Sequence, residues 1–233
     1  MLCRSLLKVL YRLSDNSYEK VRFQKATKLY CLENFLKHFP AHEVVLFADK
    51  VKDETFEQLK AFDCNLIRTE GGSSAAGFRI AIEYALSLPD DEPVYFVEDD
   101  YLHLPGSRAL LLEGLRRAHY VSLYDHMDKY RSAESGGNPA IGPDCAEVTK
   151  VLLTQSSHWK LTNSTTLTFA CFVGTIRADL PDWAPFIGGT HPYDYYAFLA
   201  LGAKGRTLIT PIPGRCTHCE PDHAAPLIDW SSV

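Results

Sequence analysis

The stretch Pro93-Val94-Tyr95-Phe96-Val97-Glu98-Asp99-Asp100 decides how the chain reads. A short apolar run bounded by polar residues is the pattern of a strand buried on both faces, as in a parallel sheet. Three carboxylates follow it without a break. Their mutual repulsion ends a buried element and calls for a positive partner. A divalent cation with oxygen ligands is the natural one. A solvated acidic turn is the plain alternative, and the rest of the chain has to separate the two.

Working upstream, residues 6–13 form an apolar run ending at Ser14-Asp15, which predicts a first strand. Residues 18–39 have helical spacing, with Phe23, Ala26, Leu29, Leu32, Phe35 and Leu36 on one face. Residues 43–48 predict a second buried strand, stopped by Asp49. Residues 53–62 predict a short helix with Asp53 at its N-cap. Residues 64–68 predict a third strand, leading into Gly71-Gly72-Ser73-Ser74-Ala75-Ala76-Gly77. Helical periodicity resumes over 78–88, and 93–97 is the fourth strand. Alternating strands and helices on short connections predict a mostly parallel sheet with helices on both faces. Ligands of such sheets bind beyond the carboxyl ends of the strands. Ser14-Asp15, Asp49, the Gly/Ser loop and Glu98-Asp99-Asp100 all fall there.

Downstream the pattern is less regular. Residues 107–118 predict a helix and 120–124 a strand ending in Asp125-His126. Residues 132–145, rich in Gly, Pro and Ser, read as a loop or lid. Residues 166–173 alternate as a strand with one wet face, 194–201 as a helix and 207–210 as a last strand. No internal repeat interrupts them.

Composition limits the function classes. With 233 residues, 46% hydrophobic and 23% charged, the chain is an ordinary globular protein, not a disordered or collagen-like one. A net charge of −5 argues against a nucleic-acid-binding footprint. Seven cysteines without framework spacing read as reduced thiols and a cytoplasmic setting. Leu2, Leu6, Leu7, Val9 and Leu10 faintly suggest a leader, but Arg4, Lys8 and Arg12 interrupt them and no cleavage site follows. No window has the roughly 18 apolar residues of an integral membrane segment.

The element order and the triplet Glu98-Asp99-Asp100 resemble the nucleotide-sugar glycosyltransferases of the GT-A fold, in particular compact family 2-like enzymes. Their D-x-D-type motif ends a strand about as far along the chain, with Glu98 here replacing its first Asp. The resemblance spans roughly residues 8–220. It implies a single α/β, Rossmann-like domain over 1–233, with a nucleotide-binding half at 1–105 and an acceptor-binding half at 106–233. It also implies a nucleotide-sugar donor, a Mn²⁺ or Mg²⁺ cofactor, and a glycan, protein-linked glycan or small-molecule acceptor. Asp100 would hold the metal, and Glu98 or Asp99 would touch ribose or the metal's waters. Asp49 matches a carboxylate that accepts from a pyrimidine ring N–H, which favours UDP. Arg12 and Ser14 would lie near base and ribose. Gly72 and Ser73 belong to the loop that lets the backbone approach the nucleotide, and Arg79 would orient the acidic motif or a phosphate. His218, after the last strand, would be a further metal ligand.

Asp194 matches the family's inverting base, although the usual Glu-Asp pair is absent because Tyr193 precedes it. An Asp that merely caps the following helix is the plain reading. Cys216, His218, Cys219 and His223 also raise a zinc reading, but they are too close together to wrap one tetrahedral ion. A sugar-nucleotide pyrophosphorylase would want a Gly-rich, basic loop where Ser14-Asp15-Asn16-Ser17 stands. A non-catalytic nucleotide-sugar-binding module is the remaining alternative. The expected activity is a metal-dependent sugar transfer, with Asp194 as the base.

Overall fold

The structure, a computed structural model, describes residues 7–16 and 21–233. The leader reading over 1–6, with Cys3, lies outside the described residues, as do residues 18–20 of the expected first helix. The first half runs β1 (Lys8–Ser14), α1 (Lys28–Leu36), β2 (Val44–Asp49), α2 (Asp53–Leu59), β3 (Asn65–Thr69), α3 (Ser74–Leu86) and β4 (Pro93–Glu98). The second half adds β5 (Tyr101–His103), α4 (Ser107–Gly114), β6 (Tyr120–Val121), β7 (Val151–Leu153), β8 (His158–Leu161), β9 (Phe169–Phe172), α5 (Val173–Ile187), α6 (Asp194–Ala203), β10 (Leu208–Ile212) and β11 (Cys216–His218).

Nine of these strands form one sheet, in the order β3-β2-β1-β4-β9-β6-β10-β8-β7. The β3-β2-β1-β4 part is parallel throughout, as the apolar runs predict. Beyond it the sheet is mixed. β9 runs antiparallel between β4 and β6, and β8 and β7 close the far edge antiparallel. A separate ribbon pairs β5 with β11.

Alternate residues of each strand serve opposite faces. Val9, Tyr11 and Leu13 of β1 join Cys31, Leu32 and Phe35 of α1 and Leu111 of α4 in one core. Leu10 joins Phe78 and Ile82 of α3, Trp183 of α5 and Phe198 of α6 in the other. Helices therefore cover both faces, as expected.

Several boundaries differ from the sequence pattern, each for a local reason. α1 begins only at Lys28, because Thr27 caps it, its side chain accepting from the Tyr30 N–H at 3.2 Å. The preceding segment instead ties to the C-terminal region through Phe23 N–H to the Cys219 carbonyl, 3.0 Å. Lys52, not Asp53, holds the N-cap of α2. α3 starts four residues earlier than its periodicity, at Ser74. The strand expected over 120–124 keeps only Tyr120–Val121. The one expected over 166–173 is confined to Phe169–Phe172, since Val173 already opens α5. Among the described residues no helix is long and apolar enough to cross a membrane. The six described cysteines are all free.

Candidate active site

β1 and β4 are in register so that Arg12 stands beside Glu98, and β1 and β2 so that Ser14 stands beside Asp49. That register builds the floor of the site. Arg12 is buried, with Nε and Nη2 donating to Asp49 Oδ2 at 3.0 and 2.8 Å and Nη1 donating to Glu98 Oε2 at 2.9 Å. Burial alone would weaken its charge, but Glu98 and Asp49 keep the guanidinium protonated. The other Asp49 oxygen accepts from the Gly72 N–H at 3.0 Å and the Thr69 hydroxyl at 3.3 Å.

These contacts correct three expectations. Arg12 is an internal clamp on two carboxylates, not a base or ribose contact. Asp49 is fully buried, and both its oxygens are engaged, so it presents nothing to a pyrimidine. Arg79 does not reach the acidic triplet. It lies on α3 and donates to the carbonyls of Ile187 and Gly189, where α5 ends. Ser73 has a local duty as the N-cap of α3, accepting from the Ala76 N–H at 3.2 Å. Gly72, at φ +74°, adopts the left-handed backbone that suits glycine and accepts from Asn16 Nδ2 at 2.8 Å. The loop after β1 and the Gly-rich loop are thus laced together.

The triplet is held in three different ways. Burial pushes the Glu98 carboxyl up to about 7; Arg12 opposes this, while Asp99 and Asp100 add to it. Asp99 Oδ2 accepts from the Ser14 N–H at 2.9 Å, so Ser14 serves the motif through its backbone. Burial and the neighbouring Asp100 raise the Asp99 carboxyl as well. Arg22 faces both aspartates, 3.7 Å from Asp99 and 3.8 Å from Asp100. Sequence reasoning missed Arg22, because it fell inside a stretch read as helix.

His218 reaches the triplet through the β5–β11 ribbon, whose register sets it against Tyr101. Its Nε2 lies 3.2 Å from Asp100 Oδ2, and its ring meets Tyr101 edge-on at 5.3 Å. The expected neighbourhood of Asp100 and His218 is therefore present.

Asp194 opens α6 but does not cap it. Its Oδ2 accepts from the Thr165 hydroxyl at 2.9 Å, the Thr165 N–H at 3.1 Å and the Leu167 N–H at 3.3 Å. Thr166 and Leu167 have φ of +47° and +59°, a strained left-handed pair for residues with β-carbons. Asp194 holds that turn together. The turn leads into β9, which lies next to β4, and this carries Asp194 to the triplet.

Glu98, Asp100, Asp194 and His218 line one cleft of about 110 Å³, closed by Ser74, the Thr166–Leu167 turn and His191-Pro192. A larger cavity of about 650 Å³ is lined by Arg22 together with Asp15, Lys28, Thr55 and Gln58. It contains none of the triplet. Asp125, His126 and Asp128, in the connection after β6, make internal polar contacts. Asp125 accepts from the Tyr130 hydroxyl at 2.8 Å and pairs with buried Lys160 at 3.0 Å. Asp128 accepts from Asn138 Nδ2 at 3.0 Å, and burial pushes the His126 imidazole down to about 4.

No family model matches the chain, and no curated protein matches it. Solved structures do. A crystal structure of GalNAc-T7 with UDP, GalNAc and Mn²⁺ superposes with a TM-score of 0.58 at 12% identity, covering 91% of this chain. This chain spans only 43% of that structure's length. Residues 1–349 of S. aureus TarS give a TM-score of 0.47 at 16% identity, over 88% of this chain and 57% of that one. CMP:2-keto-3-deoxy-manno-octonic acid synthetase complexed with CTP gives 0.49 at 13% identity, over 89% and 92%. The fold is thus the Rossmann-like α/β architecture of the GT-A nucleotide-sugar glycosyltransferases.

Proposed function

We propose that the protein is a glycosyltransferase that moves a sugar from a nucleoside diphosphate, UDP in particular, to an acceptor hydroxyl. One observation carries the reading: Asp100, His218 and Asp194, drawn from distant parts of the chain, share one cleft. The GT-A architecture supports it, and the GalNAc-T7 neighbour, solved with UDP and Mn²⁺, supports the choice of donor and ion. The buried, fully engaged Asp49 no longer contributes to the UDP preference.

The residues present suit a divalent cation. Asp100 Oδ2 and His218 Nε2, 3.2 Å apart, are the two side-chain donors that would hold it. A carboxylate with an imidazole favours Mn²⁺ over Mg²⁺. No three potential ligand side chains gather among the described residues, so phosphate oxygens and water would complete the sphere. The bound ion would offset charge developing on the departing diphosphate.

The chain's own groups do the rest. The Thr165 and Leu167 donors anchor Asp194 Oδ2, which leaves Oδ1 to accept the proton of the acceptor hydroxyl as it attacks. A single carboxylate base on the acceptor side fits an inverting transfer. Arg12 fixes Glu98, and Arg22 steadies Asp99 and Asp100, so the acids keep their places before donor arrives. Calorimetry with UDP, with and without Mn²⁺, tests this. Binding that needs the metal and disappears in Asp100→Ala supports the transferase; no UDP binding in either condition overturns it.

A further inference from the structure

Lys129 is fully buried, although it lies in a connection outside the sheet, in the short 3₁₀ turn Met127–Tyr130 after β6. Burying an ammonium is costly unless acceptors receive it. Burial pushes this one below its usual range, and the carboxylate of Asp128, 3.6 Å away, opposes the fall. Asp128 alone would give it a partner. Lys129 also reaches a distant segment, donating to Asn163 Oδ1 in the loop between β8 and β9. Two more bonds join the same segments: Asn138 Nδ2 donates to Asn163 Oδ1 at 3.2 Å, and the Ser164 hydroxyl donates to Asp128 Oδ2 at 3.3 Å. Asn138 Nδ2 donates to Asp128 Oδ2 as well, at 3.0 Å, which ties the group together.

We infer that Lys129 is a positioning residue for Asp194, acting through Asn163 and the turn that follows it. The role rests on the transferase reading, in which Asp194 is the base. Asn163, Ser164 and Thr165 are consecutive, and one residue spans at most about 3.5 Å. Little slack therefore separates the gripped pair from Thr165, whose N–H and hydroxyl both donate to Asp194 Oδ2. The next two residues, Thr166 and Leu167, hold positive φ, and such backbone persists only where its surroundings impose it. Asp194 restrains this turn from one side. The group of Lys129, Asp128 and Asn138 restrains its entry from the other. An ammonium suits the task, because three donors on a long stem can serve a carboxylate and an amide oxygen from different segments. Lys129 does not line the cleft, so its influence on the base passes through the turn.

Two variants of the full chain test the proposal. Lys129→Met keeps the length of the side chain and loses the ammonium. Ser164→Ala is milder, losing one hydroxyl at the same joint, and it decides alone if Lys129→Met does not fold. Hydrogen exchange of the Thr165 and Leu167 amides, which donate to Asp194, reads the joint without any substrate. Relative to the amides of β4, both are expected to exchange at least about tenfold faster in Lys129→Met, and by a smaller factor in Ser164→Ala. Turnover of a panel of UDP-sugars, followed as UDP release, should fall about tenfold or more while UDP affinity stays near the parent's. In the Asp194→Asn background Lys129→Met should cause no further loss, because the two residues act as one unit. Unchanged amides, turnover unaffected by looser amides, or a full further loss in the Asp194→Asn background overturns the proposal. Looser amides with no turnover of any UDP-sugar by the parent uphold the restraint on Asp194 and remove the transferase reading.

Discussion

Gly77 leaves room for Arg12. A β-carbon at Gly77 would stand 2.1 Å from Arg12 Nε and 2.4 Å from its Cδ. Arg12 cannot swing aside, because Asp49 and Glu98 hold its guanidinium from two sides. Gly77→Ala is therefore expected to cost about 1–3 kcal/mol of stability, as overpacking against a fixed group does. Urea unfolding measures it, and a change within about 0.5 kcal/mol, the scale of a neutral surface substitution, would contradict the assigned contact.

Removing the guanidinium should hurt more. Arg12→Met strands Asp49, fully buried, and breaking a buried pair from one side costs about 3–5 kcal/mol. Adding Asp49→Asn should recover part of that loss. If the double variant is no more stable than Arg12→Met, the clamp is not the source of the effect.

Acid should destabilise the fold partly through one imidazole. Burial pushes His103 down to about 3 from the usual 6.5, with nearby His38 adding to the effect. The unfolded chain therefore takes up a proton below pH 6.5 that the folded chain refuses. Stability from this group is complete above pH 6.5 and is lost as pH falls from 6.5 toward 3. At pH 4.5 the loss is about 3 kcal/mol. His103→Gln does not titrate, and its amide can still accept from the Tyr95 hydroxyl, now 2.8 Å from His103 Nε2. Its melting temperature should drop less than the parent's between pH 7 and 4.5; equal drops would count against the assignment.

Asp194→Asn separates holding the turn from taking a proton. The amide oxygen still accepts from Thr165 and Leu167, so UDP binding and melting temperature should stay near the parent's. Turnover, followed by UDP release, should fall by about 10²–10⁴-fold. Retained turnover would refute the base.

His218→Gln tests the metal pair with less disruption than loss of Asp100. The Mn²⁺ concentration that half-saturates UDP binding should rise about tenfold, in line with losing one of two protein donors. An unchanged titration would remove His218 from the site.

The parallel half of the fold was legible because strands buried on both faces must be continuous apolar runs, as in Val44–Asp49 and Pro93–Glu98. The second half hides its elements. β5, β7 and β11 are only three residues long, and α5 contains Pro181 and Pro185, which mask its periodicity. Asp100, His218 and Asp194, each expected at the site from the sequence, do come together in one cleft. The partners of Arg12 were not legible, since lateral register between β1, β2 and β4 leaves no mark in a single strand's pattern. Arg79 misled for the converse reason. It lies close in sequence to the Gly-rich loop, but its place on α3 aims it at the end of α5.

The position of β9 bears on motion. It comes from the second half of the chain, yet it hydrogen-bonds to β4 on one side and β6 on the other. Asp100 follows β4 and Asp194 is tied to the turn that leads into β9, so these two hang from paired strands of one sheet, while His218 joins them from the β5–β11 ribbon. Hinge opening between the two halves would require tearing the β4–β9–β6 pairing. In the proposed transfer, entry and exit of substrates would fall to the connections outside the sheet, chiefly the 122–150 excursion and the Gly188-Gly189 turn before α6. Turnover should then follow the stiffness of those loops, not the breathing of two bodies.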